Sequence, residues 1–144
     1  MASQSNRATA MRADAASVLD DTVRAYAFGR GLTDRVTAMS NVIVVATFKV
    51  QEGRVDEAIA GLTPVIEQTH DEPGCLSYAL HRDVNDPLTL VLVERWTSQV
   101  ALESHFQQPY MEGLGQLAAE LLSEPPTLKF CTPLAIGDDL KGTL

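Results

Sequence analysis

The sequence predicts an α+β fold, with a ferredoxin-like βαββαβ order, one antiparallel sheet and its helices on one sheet face. Three observations predict it. Residues 41–50 (NVIVVATFKV) alternate strictly and are apolar on both faces at their start. Residues 90–110 read as a strand that runs into a capped helix and stops at Pro109. Between these two stretches the apolar spacing changes from helical to alternating, giving the order strand, helix, strand, strand, helix, strand.

Taken in order, residues 1–13 are small and polar. A short helix is expected from Asp14, with Ala15, Leu19, Val23 and Tyr26 near one face and Gly29 and Gly31 ending it. Residues 1–40 therefore read as an N-terminal extension. In the first strand Val42, Val44, Ala46, Phe48 and Val50 share one face, and Ile43, Val45, Thr47 and Lys49 the other. A turn at 51–54 leads into a helix with Val55, Ile59, Leu62 and Ile66 on one side. Pro64 inside it predicts a kink or a register break, and His70 closes it. The turn Asp71-Glu72-Pro73-Gly74 precedes a second strand at 75–82, in which Leu76, Tyr78 and Leu80 alternate with Ser77, Ala79 and His81. Residues 83–87 form a hairpin connection to a third strand at 88–96. Ser98 is the expected N-cap of the next helix, which resumes after Pro109 through Leu114, Leu117 and Leu121. Residues 127–132 make a fourth strand, the domain spans 41–133, and 134–144 are an extended tail.

One layer of helices leaves the second sheet face bare. Ile43, Val45, Val91 and Val93 lie on it, so a homodimer with facing sheets is expected.

Composition narrows the function. The chain has 144 residues, enough for one domain with a true core. Its net charge of −8, with 11 basic against 19 acidic residues, argues against nucleic acid and anionic membrane as partners. Cys75 and Cys131 lie far apart, so they read as two buried small residues rather than a zinc or dithiol pair. The three histidines, His70, His81 and His105, lack metal-ligand spacing, so no metal site is expected. No apolar run of membrane-spanning length occurs, and a cytoplasmic location is expected.

Several pieces, in this order and spacing, resemble the antibiotic biosynthesis monooxygenase (ABM) domains of the dimeric α/β-barrel superfamily. They are Phe48-Lys49-Val50 with Glu52-Gly53, Glu72-Pro73-Gly74-Cys75-Leu76-Ser77-Tyr78, Asp86-Pro87, and Glu94-Arg95-Trp96-Thr97-Ser98 with Ala101-Leu102, His105 and Pro109. The resemblance covers residues 41 to 133. It implies a dimeric α/β barrel and, among the chemistries of such proteins, the oxidation of quinols or polycyclic phenols by molecular oxygen without a metal or flavin cofactor. Haem-degrading relatives have an Asn, a Trp and a haem-ligand His at positions that fall here on Ala46, His105 and Gly115, so haem chemistry is not implied. Tyr110 stands where relatives often carry a second His.

Such an oxygenase needs the phenol deprotonated, since the anion reduces oxygen more readily than the neutral form. Phenols ionise near pH 10, and a neutral His beside the hydroxyl can take that proton. His105, one turn from Leu102 on the inward side of its helix, is the candidate catalytic base. Tyr78, Trp96, Tyr110, His70 and Phe106 are the candidate substrate-binding residues. Each also has a plain structural reading: a core Trp, hydrogen-bonded Tyr hydroxyls, and a His70 favoured at a helix C-terminus. His81 points to the surface, and Glu94 and Arg95 point to opposite faces with ion-pair, dimer or catalytic roles open. The expected partners are a small aromatic or quinone-like substrate and oxygen. The alternatives are a non-catalytic binding module, or a non-oxidative isomerase or decarboxylase on the same scaffold.

Overall fold

The computed structural model describes Asp21, Thr22, Arg24 and residues 40–144. Apart from those three residues, the helix expected from Asp14 lies outside the described part. The ordered elements are β1 (Val42–Lys49), α1 (Val55–His70), β2 (Cys75–Arg82), β3 (Thr89–Trp96), α2 (Gln99–Phe106), a 3₁₀ turn (Pro109–Met111), α3 (Leu114–Leu121) and β4 (Thr127–Cys131). The strands form one antiparallel sheet in the order β2-β3-β1-β4, which is the ferredoxin-like arrangement.

Register explains which residues meet. Val44 lies opposite Glu94, Ala46 opposite Leu92 and Phe48 opposite Leu90 across β1 and β3, and Tyr78 lies opposite Glu94 on β2. These side chains share the face covered by the helices. Two buried clusters form there. One gathers Val42, Val44, Ala46, Tyr78, Leu92, Trp96 and Leu102. The other gathers Val50, Ala58, Leu90 and Leu121 at the far end of the strands.

The local chemistry mostly follows expectation. Ser98 caps α2, its hydroxyl accepting from the Ala101 N–H at 3.1 Å. Asp86 accepts from Lys49 Nζ and from the Thr89 hydroxyl, so the β2–β3 hairpin is tied back to β1.

Three expectations need correction. Helix α1 runs through Pro64 as one element without a register break. Ala60, whose carbonyl loses the bond that Pro64 cannot make, is exposed, so water can take its place. Leu76 does not join Tyr78 in the core. A bulge between Cys75 and Ser77 gives β2 an extra residue, and Leu76 turns outward at 41% exposure. Cys131 is exposed and Cys75 only half-buried, so the thiols are not core residues, and both are free. The tail beyond β4 leaves Leu134, Ile136, Leu140 and Leu144 exposed.

Candidate active site

The site forms where the C-terminal ends of α1, α2 and β3 converge. The turn after α1 carries Glu72. Its backbone N–H donates to the Thr69 carbonyl at 3.1 Å, and its carbonyl accepts from Cys75 at 3.0 Å. Gly74 then lets α2 approach. A Cβ built there would lie 2.3 Å from the Ala101 Cβ, so any other residue would push the helix away from the turn. The Gly74 carbonyl also accepts from the Thr97 N–H at 2.9 Å, which pins the turn to the start of α2.

That close approach joins Glu72 to His105. The imidazole is fully buried, and its Nδ1 lies 2.6 Å from Glu72 Oε1. The same oxygen accepts a bond from the Tyr110 hydroxyl. A carboxylate can only accept, so Nδ1 carries the proton and Nε2 carries the lone pair. Nε2 is buried and has no hydrogen-bond partner among the described residues. Burial lowers the imidazole pKa below its usual 6.5, and the bond to Glu72 opposes that shift only in part. His105 is therefore neutral at pH 7. Burial, together with the bond to Glu72, pushes the Tyr110 hydroxyl up to about 12, so it stays a donor.

Glu94 lies on the same sheet face, 4% exposed. Its Oε2 accepts from the Trp96 indole N–H at 2.9 Å. Burial pushes its carboxyl up to about 7, the Trp96 bond opposes this, and the nearby Glu72 adds to it. Glu94 thus exchanges a proton near neutral pH. Burial also raises the Tyr78 phenol far above its usual 10, so its O–H remains a donor.

A cavity of about 670 Å³ separates sheet from helices, and its wall includes Tyr78, Glu94, His105, Phe106, Leu92 and Leu128. Its lining is mainly apolar, with Tyr78, Glu94 and His105 among its polar groups. Of the residues singled out in the sequence, His105, Tyr78 and Phe106 line it. Trp96 and Tyr110 sit behind it and hold Glu94 and Glu72 by hydrogen bonds. His70 is not brought to the cavity. It is exposed at the end of α1, with Nε2 2.8 Å from the Tyr78 carbonyl. His81 is exposed, as expected. Glu72 and Glu94 were missed as site residues. Glu94 carried a legible signal, being the one carboxylate on the face shared by Leu90, Leu92 and Trp96. Among the described residues no cluster of His, Cys, Asp or Glu has the arrangement of a metal site.

The perturbed carboxyl of Glu94 yields a stability prediction. Its folded pKa of about 7 lies above the ordinary 4.5. Between these values the folded protein keeps a proton that the unfolded chain releases, so stability falls as pH rises through this window. Glu94→Gln should remove that slope. Relative to the variant, wild type should lose about 3 kcal/mol between pH 4.5 and pH 8. Denaturant midpoints at the two pH values measure it, and parallel profiles for the two proteins would contradict it.

A four-stranded antiparallel sheet, helices on one face and a largely apolar cavity between them define a ferredoxin-like α+β protein. Sequence comparison narrows this to one family. The model of the antibiotic biosynthesis monooxygenase (ABM) family matches residues 41–114, and the chain belongs to that family. It is 34% identical over 95 residues to Rv0793 of Mycobacterium tuberculosis, named as a candidate monooxygenase, a match over 66% of this chain and 93% of that protein. The solved structure of Rv0793 superimposes with a TM-score of 0.64 at 31% identity, covering 69% of this chain and 100% of that one. The chain is also 32% identical over 88 residues to the uncharacterized protein sll1783 of Synechocystis, over 61% of this chain but only 60% of that protein's length. YcnE of Bacillus subtilis, named as a candidate monooxygenase, is 25% identical over 84 residues, covering 58% of this chain and 88% of its own. Among the described residues no helix is long and apolar enough to cross a membrane.

Proposed function

We propose that the protein is a cytoplasmic monooxygenase that oxidises a quinol or polycyclic phenol with molecular oxygen and without a metal or flavin. The observation that carries this reading is His105, buried in the wall of an apolar cavity, oriented by Glu72 and with an unpartnered Nε2. The substrate hydroxyl donates to Nε2, and the proton passes to His105 as the ring gives an electron to oxygen. Glu72 stabilises the imidazolium that forms. The reduced oxygen then bonds, as a peroxide, to a hydrogen-bearing ring carbon ortho or para to the hydroxyl. Its O–O bond breaks as that carbon loses hydrogen, leaving a quinone carbonyl and water. The water takes its hydrogens from the phenol O–H and the ring C–H, so one oxygen atom enters the product and one leaves. Protonated Glu94 donates to the departing oxygen and is reprotonated by the hydrogen that the ring carbon loses, while Tyr78 holds a substrate oxygen.

Oxygen uptake and quinone absorbance with a panel of quinols and polycyclic phenols test the reading. It predicts one oxygen consumed per quinone formed. Product without oxygen uptake would point to an isomerase or decarboxylase, and ligand binding without any turnover to a binding module.

We also propose a homodimer through the sheet face turned away from the helices. Ile43 on that face is already buried, while Val45, Val91 and Val93 lie there half-buried, beside an Arg95 whose buried Nε has no partner among the described residues. Sedimentation equilibrium at monomer mass would refute it.

A further inference from the structure

The cavity is chemically divided along its length. Tyr78, Glu94 and His105 stand at one end together with the ring of Phe106, while Gln107, Gln108, Glu112 and Gln116 contribute polar lining from the α2–α3 side. Its other end is aliphatic, walled by Val50, Ala58, Leu62, Leu90, Leu117 and Leu121. Phe48, opposite Leu90 in the sheet, is the one aromatic there. Glu94 and Leu90 lie four residues apart on the same face of β3, so the ends are about 13 Å apart at the usual strand rise. A single aromatic ring held against His105 would leave the aliphatic end unfilled. Water against that aliphatic wall would gain little from it, which leaves apolar substrate surface as the favourable filling.

We propose that the cavity takes an amphiphilic phenol or quinol, its hydroxyl-bearing ring at the Tyr78–Glu94–His105 end and an alkyl or isoprenoid side chain lying along the Val50–Leu90–Leu121 end. This rests on the function proposed above for the ring end, but the side-chain subsite is tested by binding alone. The aliphatic wall rewards each added methylene and offers no stacking surface for further fused rings. It also sets orientation, since a side chain fits only when the hydroxyl faces His105.

The test uses two homologous series. Dissociation constants of 4-alkylphenols from methyl to octyl are measured by calorimetry, and oxygen uptake is followed with the matching alkylhydroquinones. Affinity should rise about threefold to fourfold per methylene, then level off when the chain reaches the Val50–Leu121 end. Ala58→Phe, which fills that end, should flatten the ratio of hexyl to methyl affinity towards unity. Leu117→Ala, which enlarges it, should move the plateau to longer chains and keeps the test intact if the first variant fails to fold. Affinity that is flat in chain length, or a fused-ring phenol that binds tighter than octylphenol, overturns the subsite. Chain-dependent affinity without oxygen uptake sustains the subsite and rejects the oxidation proposal instead.

Discussion

His105→Gln is expected to lower kcat/KM for oxygen-dependent quinol oxidation by about 10²- to 10⁴-fold, the usual worth of a positioned general base. That range corresponds to about 3–5 kcal/mol of transition-state stabilisation. The variant isolates chemistry from folding. A Gln amide N–H can still donate to Glu72 Oε1, which His105 Nδ1 approaches at 2.6 Å, so Glu72 and Tyr110 keep their places. What is lost is the basic nitrogen, because an amide oxygen is far too weak a base to take a phenol proton. Ligand affinity should change little, which places the loss in kcat. Equal turnover by wild type and variant, with one oxygen consumed per quinone in each, would remove His105 from the mechanism.

Trp96→Ala is expected to destabilise the protein by about 3–5 kcal/mol, as truncating a large buried aromatic does. Trp96 is fully buried at the end of β3, between Val42 and Cys75 in the sheet. Its ring centroid lies 4.6 Å from that of His105 and 6.3 Å from that of Tyr78. Removing it opens the core directly behind the acid–base cluster. A domain of this kind has only about 5–15 kcal/mol in total, so the variant should lose much of its cooperative melt. Trp96→Phe separates packing from polarity. It keeps most of the ring volume but removes the indole N–H that bonds Glu94 Oε2 at 2.9 Å. With that donor gone, the Glu94 carboxyl should move further above 7, since the bond favours its ionised form. Thermal melts and the activity–pH profile of the two variants check these outcomes. A Trp96→Phe protein as unstable as Trp96→Ala would show that the hydrogen bond outweighs packing.

The fold was legible because its signals are local and agree with one another. The two-faced alternation of β1, the Ser98 cap and the break at Pro109 all recur in the structure. What escaped depends on tertiary contact. The bulge that turns Leu76 outward is a property of β2 pairing with β3 and leaves no mark on the alternating pattern. Pro64 was read as an interruption, but its exposed position lets α1 continue. His105 was legible as an inward polar residue on an apolar helix face. Glu72 was not, because a carboxylate in a turn reads as solvent-facing until Gly74 brings α2 against it. Glu94 lay in between. Its place in the Leu90, Leu92, Glu94, Trp96 row was readable, but the adjacent Arg95 suggested an ion pair, and the two residues face opposite sides of the sheet.

The central claim is that His105 is a neutral base, protonated at Nδ1 towards Glu72 and unpartnered at a buried Nε2. Nitrogen NMR of the imidazole tests this most directly, with His105→Gln assigning its signals among the three histidines. The account predicts the Nδ1–H tautomer at pH 7, a titration midpoint below the usual 6.5, and a further fall in Glu72→Gln, where the carboxylate that favours the imidazolium is gone. An imidazolium at pH 7, or an Nε2–H tautomer, would contradict it.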